Sequence, residues 1–286
     1  MTAIAHRYAA LSQVKMHYAE AGEGPTLVLL HGFPETWYEW RQVIPLLVRD
    51  GFRVIAPDLR GLGDTSRPAA GYDKRRVAAD VIELLTGHLG LDAVGLAGHD
   101  WGGPVAYALA RSAPALVRRL AILDVVIPGD GSAGGISQGG RRWHHGFHRT
   151  PHIPEALTAG REAIYLGYFY DEFCSVAGAI TAADAAEYVR TYSQPGALRC
   201  GFEYYRATDE DARVNAEELA RIGKLAIPVL GIAGGAGRGR GPELEDSLRR
   251  VAEAPVCHVL DGVGHMVPEE APEQTAVLLS AFFRPT

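Results

Sequence analysis

The feature that most restricts how this chain can fold is a regular alternation of short apolar runs with longer amphipathic stretches. "TLVLLHGF" (Thr26–Phe33) reads as a buried strand entering a Gly-Phe-Pro turn. "EWRQVIPLLVRDG" follows with helical spacing and stops at Gly51. "RVIAPDL" is a second strand, and "GLGDTSRP" after it a loop. "KRRVAADVIELLTGHLG" is a helix ending at glycine, "DAVGLAG" a strand, and "PVAYALARSAPALVRRL" continues into helix. "RLAILDVVIPG" is a strand ending near Asp124. Downstream, "LAIPVLGIAGG" and "APVCHVLDG" supply two more strands and "EEAPEQTAVLLSAFF" a closing helix. The pattern implies an α/β protein with a mostly parallel central sheet flanked by helices.

Residues 128–224 break the rhythm. They open with the Gly/Ser-rich "GDGSAGGISQGG" and continue through aromatic-laden helical segments without a convincing strand. The expected organisation is a core of residues 1–127 and 225–286 with residues 128–224 inserted as a helical cap.

The chain has 286 residues, of which 47% are hydrophobic and 22% charged, as in ordinary globular proteins. A formal net charge of -6 leaves no basic footprint, so nucleic acid is not an expected partner. Three widely spaced cysteines suit free thiols in a reducing compartment rather than a disulfide frame or zinc site. The start "MTAIAHRYAALS" does not read as a secretory signal, and no apolar run approaches the roughly 20 residues of a membrane helix. The expectation is a soluble cytoplasmic protein without membrane partners; a homodimer is left open.

"GLAGHDWGGPVAY" (Gly95–Tyr107) has the form of a tight strand-to-helix turn that displays a nucleophile, with Asp100 where serine is usual. Ligands of open parallel sheets bind beyond the carboxyl ends of the strands. Asp100, Asp124 and the His31–Pro34 turn all fall at such ends, and His265 follows the last strand in "DGVGHMVPEE". The chain order is therefore nucleophile, acid, histidine. A carboxylate suits displacement at saturated carbon, giving an alkyl ester that histidine-activated water then hydrolyses. The ester carbonyl needs two backbone donors, for which Phe33 and Trp101 are placed. An epoxide oxygen or a halide would leave. "GISQG" (Gly135–Gly139) is a literal G-x-S-x-G, but no strand precedes Ser137. Nothing points to a cofactor or metal.

"HGFPETWYEW", "PDLRGLGDTSRP", "GHDWGG" and "GVGHMVPEEAP" occur in the order found in the epoxide hydrolase and dehalogenase branch of the α/β-hydrolase superfamily. The sequence resembles that branch across the core, and its first three motifs most resemble epoxide hydrolases. The resemblance implies a small-molecule epoxide as substrate and a vicinal diol as product. It implies Asp100 as nucleophile, His265 as base, and Asp124 as its acid, with Glu245 and Asp246 as alternatives. Family members protonate the epoxide oxygen with two cap tyrosines. Tyr205 of "FEYYRA" matches one, and His144 stands where the other is usual, followed by His145. Phe33, Pro34, Trp101 and His145 are expected to wall the substrate. Cap aromatics (Trp143, Phe147, Tyr165, Tyr168, Phe169, Tyr170) suggest an apolar or aromatic epoxide. The alternative is a hydrolytic haloalkane- or haloacetate-type dehalogenase on the same Asp–His–Asp machinery. Against it, the haloacetate arginines are replaced by Trp101 and Pro104, and the halide-binding asparagine of many haloalkane dehalogenases by Phe33.

Overall fold

The computed structural model describes residues 3–284. Eight strands form one sheet: β1 (Ala5–Ala10), β2 (Lys15–Ala21), β3 (Thr26–Leu30), β4 (Arg53–Pro57), β5 (Val94–His99), β6 (Val117–Leu123), β7 (Val229–Gly234) and β8 (Val256–Leu260). Their order is β1-β2-β4-β3-β5-β6-β7-β8, with β2 antiparallel to both neighbours and every other pairing parallel. The β1–β2 hairpin is an addition to the reading from sequence. β1 lies at the sheet edge with one buried residue, so no apolar alternation announces it.

Both faces of the central strands are covered, which is why their sequences are apolar without interruption. On one face Val28, Leu30, Leu96, Leu120 and Ile122 pack in a cluster with α2 (Lys74–Ile82) and α3 (Gly102–Ser112). On the other, Leu27, Leu29, Ala97, Ala121 and Leu230 pack with α1 (Val43–Arg49) and the C-terminal helix Pro272–Phe283. The sequence reading ran the helix after the elbow on to Leu120. It ends at Ser112, and Val117–Leu123 is strand: Pro114 interrupts the helix and the following residues enter the sheet.

Between β6 and β7 stand six helices and, among the described residues, no strand: α4 (His144–Arg149), α5 (Ile153–Thr158), α6 (Glu162–Glu172), α7 (Ala182–Tyr192), α8 (Ala197–Arg206) and α9 (Thr208–Ile222). Thr181 and Asp184 cap α7 reciprocally, which sets its first turn. Three buried phenols reach from this layer to backbone carbonyls beyond the strand ends. Tyr170 donates to Pro34 O at 2.8 Å, Tyr192 to Glu35 O at 2.9 Å, and Tyr204 to Arg60 O at 2.9 Å. No helix among the described residues is long and apolar enough to cross a membrane.

Candidate active site

Asp100 follows β5 at φ +44°, a left-handed conformation that few side chains adopt. The neighbouring glycines permit the turn. A Cβ on Gly98 would lie 2.2 Å from the Gly102 carbonyl oxygen, and one on Gly102 would lie 2.2 Å from that of Leu30. In the His-Gly turn, a Cβ on Gly32 would stand 2.3 Å from the Asp100 Cβ. Small residues therefore let three backbone segments close on one carboxylate.

Asp100 Oδ1 accepts the Phe33 N–H at 2.9 Å, and Oδ2 lies 3.3 Å from His265 Nε2. Burial pushes the Asp100 carboxyl upward. The His265 ring, His99 and the Phe33 N–H outweigh it and hold the group well below the usual carboxylate range. Of the two expected backbone donors, only Phe33 bonds Asp100 among the described residues. Trp101 instead caps the start of α3 with its indole buried against Tyr205, ring centroids 4.9 Å apart and nearly perpendicular.

His265 is held on several sides. Its Nδ1 meets Asp124 Oδ2 at 2.6 Å, its N–H donates to Phe173 O at 2.8 Å, and its carbonyl contacts His99 Nε2 at 2.8 Å. The N–H groups of Gly264 and Met266 donate to the Glu270 carboxylate at 2.9 and 3.0 Å. Asp124 follows β6 at φ +46°, fully buried, and its Oδ1 accepts the N–H groups of Gly234 and Arg240, each at 2.8 Å. The alternatives lie elsewhere: Glu245 pairs with Arg249 at 2.5 Å, and Asp246 lines a surface cleft with Asp130 and Arg250. Ser137 sits in a turn whose carbonyl accepts from Gly140, not on an elbow.

Above Asp100 lies an aromatic cluster. Tyr205 is buried, and the rings of His144, His145 and His148 approach it at 5.7, 5.0 and 4.2 Å. Each of these histidines leaves Nδ1 buried without a partner. Burial and neighbouring positive groups hold all three neutral, His145 down to about 3. Burial and the nearby Asp100 push the Tyr205 hydroxyl well above its ordinary value, so it keeps its proton. The Phe33 ring is edge-on to Tyr205, His148, Phe169 and Tyr192. Pro34 is buried, its carbonyl taken by Tyr170.

The structure thus brings Asp100, His265, Asp124, Phe33, Trp101, Tyr205, His144 and His145 to one sheet end. Sequence reasoning did not single out His148, yet its ring is the nearest of the three to Tyr205. It passed over Lys74, whose ammonium lies 3.9 Å from the Trp101 ring centroid. It also missed Glu35, Glu39 and His99, a buried set in which His99 Nδ1 lies 3.3 and 3.1 Å from the two carboxylates. Burial and Glu35 push Glu39 up, and His99 links this set to the His265 backbone carbonyl. The Glu-x-x-x-Glu spacing at Glu35 and Glu39 was the available signal.

The family model for the alpha/beta hydrolase fold matches residues 25–188. The soluble epoxide hydrolase of Corynebacterium sp. (strain C12) is 42% identical over 291 residues, covering 99% of each chain. Among solved structures, Cfl2 from Burkholderia cenocepacia superposes with a TM-score of 0.91 at 40% identity, over 98% of this chain and 95% of that one. The epoxide hydrolase CorEH superposes with a TM-score of 0.90 at 39% identity, over 98% and 99%. Strand order, elbow and full-length likeness agree: the chain belongs to the alpha/beta hydrolase fold family, in its epoxide hydrolase branch.

Proposed function

We propose that this hydrolase opens an epoxide to a vicinal diol through a covalent ester on Asp100. The observation that carries the reading is the division of labour on one carboxylate. Oδ1 is bonded by the Phe33 N–H, as a future ester carbonyl requires, while Oδ2 faces the cluster beside His265. In the first step Asp100 Oδ2 attacks an epoxide carbon, the C–O ring bond breaks, and the ring oxygen takes the Tyr205 proton. His144 is neutral and offers a second donor in one tautomer. In the second step His265 Nε2 takes a proton from water, and the hydroxide attacks the ester carbon. The oxyanion on Oδ1 is held by the Phe33 and Trp101 N–H groups. Collapse frees the diol and Asp100, and the proton on His265 returns to the Tyr205 phenolate. Asp124 completes the triad by orienting His265.

Residues 128–224 act as the cap over this site on a core of 1–127 and 225–286. The aromatic rings around Tyr205 favour an apolar or aromatic epoxide. A hydrolytic dehalogenase is the second reading, favoured by one observation: the Trp101 indole N–H is buried without an acceptor, as a halide site would need. Single turnover of styrene oxide in ¹⁸O water, with enzyme in excess, tests the proposal. The label is expected first in the Asp100 carboxylate and only in later turnovers in the diol. Label appearing directly in the diol sinks the covalent route, and halide release from haloalkanes without epoxide turnover selects the second reading.

A further inference from the structure

Lys74 opens α2 with its side chain 2% exposed. Its Nζ lies 2.8 Å from Asp211 Oδ2, donates to the Tyr204 carbonyl, and sits over the Trp101 ring at 3.9 Å. Burial draws this ammonium below its ordinary value, and Asp211 opposes that. The ion pair alone explains an anchor between α2 and α9. It does not explain a buried cation on the face of an indole that follows the Asp100 elbow.

A cation over an indole face is attracted by the ring quadrupole. By drawing electron density toward itself, it also makes the ring N–H a stronger donor. The Trp101 N–H is buried and makes no well-formed hydrogen bond, although Tyr205 is near enough to feel it. Buried orphan donors are costly, and a later acceptor is one reason that they persist. Beside Trp101 stands Tyr205, perpendicular at 4.9 Å, and Trp101 is among the influences that lower the raised pKa of its hydroxyl.

Resting on the ring-opening reading above, we infer that Lys74 is a positioning residue: acting through Trp101, it readies the indole N–H to receive the charge that Tyr205 acquires during ring opening. As the Asp100 Oδ2–carbon bond forms and the carbon–oxygen bond breaks, the Tyr205 proton passes to the ring oxygen. The phenolate then accepts the Trp101 N–H. The donor is unpaired in the resting site and paired in the transition state, so its contribution lowers the barrier rather than tightening substrate binding.

The test is rapid-quench mass spectrometry of the alkyl-enzyme with styrene oxide, which separates the rate of ester formation from that of ester hydrolysis. Trp101→Phe keeps the ring and the Lys74–Asp211 pair but removes the N–H. It is expected to slow ester formation about tenfold or more while ester hydrolysis stays within about twofold. Lys74→Met should slow ester formation similarly, and Lys74→Arg should restore most of it. In the double variant Lys74→Met/Trp101→Phe the two losses should not multiply. A Lys74 that only anchors helices would slow both steps together, and its loss would multiply with that of Trp101→Phe; that result overturns the inference. If Lys74→Met does not fold, an unchanged rate of ester formation in Trp101→Phe overturns it equally. A lack of any alkyl-enzyme in the unsubstituted protein overturns the ring-opening reading itself.

Discussion

Asp124 and His265 are 141 residues apart in sequence and 2.6 Å apart in space. The carboxylate has no freedom to turn, because Oδ1 is fixed by the Gly234 and Arg240 N–H groups. A carboxylate accepts only, so His265 carries a hydrogen on Nδ1, and in the proposed mechanism Nε2 becomes the base once Asp100 Oδ2, 3.3 Å away, has been esterified. Asp124→Asn presents an N–H₂ group to Nδ1 and reverses that tautomer. Ester hydrolysis is expected to slow by about 10³- to 10⁴-fold. Intact-mass measurements should then find alkyl-enzyme accumulating at steady state. Loss of folding without any trapped ester would count against the assignment.

Tyr204 and Tyr205 are adjacent but face different tasks. Tyr204→Phe strands the buried Arg60 carbonyl and is expected to cost about 1–3 kcal/mol of stability, with the rate of ester formation retained. Tyr205→Phe removes the proposed acid and should lower the rate of ester formation by about 10²-fold or more with little change in stability. Urea denaturation and single-turnover kinetics on both variants check the pair. Interchanged outcomes would reassign the acid.

Acid sensitivity follows from the three neutral histidines. In the folded protein their protonation lies well below the ordinary value, at about 3 for His145. The unfolded chain protonates near about 6.5. The unfolded state therefore binds more protons as the pH falls below that value, and stability declines by up to about 1.4 kcal/mol per pH unit for each ring. Between pH 6.5 and 5, the denaturation midpoint of His148→Phe should fall less steeply than that of the unsubstituted protein. Identical slopes would mean that His148 titrates freely when folded.

Gly98→Ala tests the elbow. Its Cβ would stand 2.2 Å from the Gly102 oxygen and 2.7 Å from the Gly103 nitrogen, both backbone atoms of the turn. The expected cost is at least about 3 kcal/mol, together with loss of burst-phase ester. A folded and active Gly98→Ala protein would show that the turn has room that its geometry denies.

How much was legible in the sequence depends on how local the cause is. The elbow was readable because its glycines lie within three residues of Asp100 in sequence, although the Gly102 clash is with Leu30 of a neighbouring strand. Asp124 and His265 were readable as residues after strands. The boundary at Val117 was not, since "ALVRRLAIL" suits helix and strand equally until the sheet claims it. Lys74 was invisible for a different reason. Its surroundings come from Trp101, Tyr204 and Asp211, and no periodicity in α2 distinguishes a lysine bound for the interior from one bound for solvent.

The three phenols that cross from the helical layer to the carbonyls of Pro34, Glu35 and Arg60 have a consequence for protein engineering. Phe33, the donor to Asp100, immediately precedes two of those carbonyls, so its alignment is maintained by residues outside the sheet. A chimera that grafts another enzyme's helical layer onto this scaffold would exchange the proposed substrate walls and loosen the loop that holds Phe33 against Asp100 in the same operation. Recombination between relatives should succeed where the crossover carries Tyr170, Tyr192 and Tyr204 together with the segment they grip.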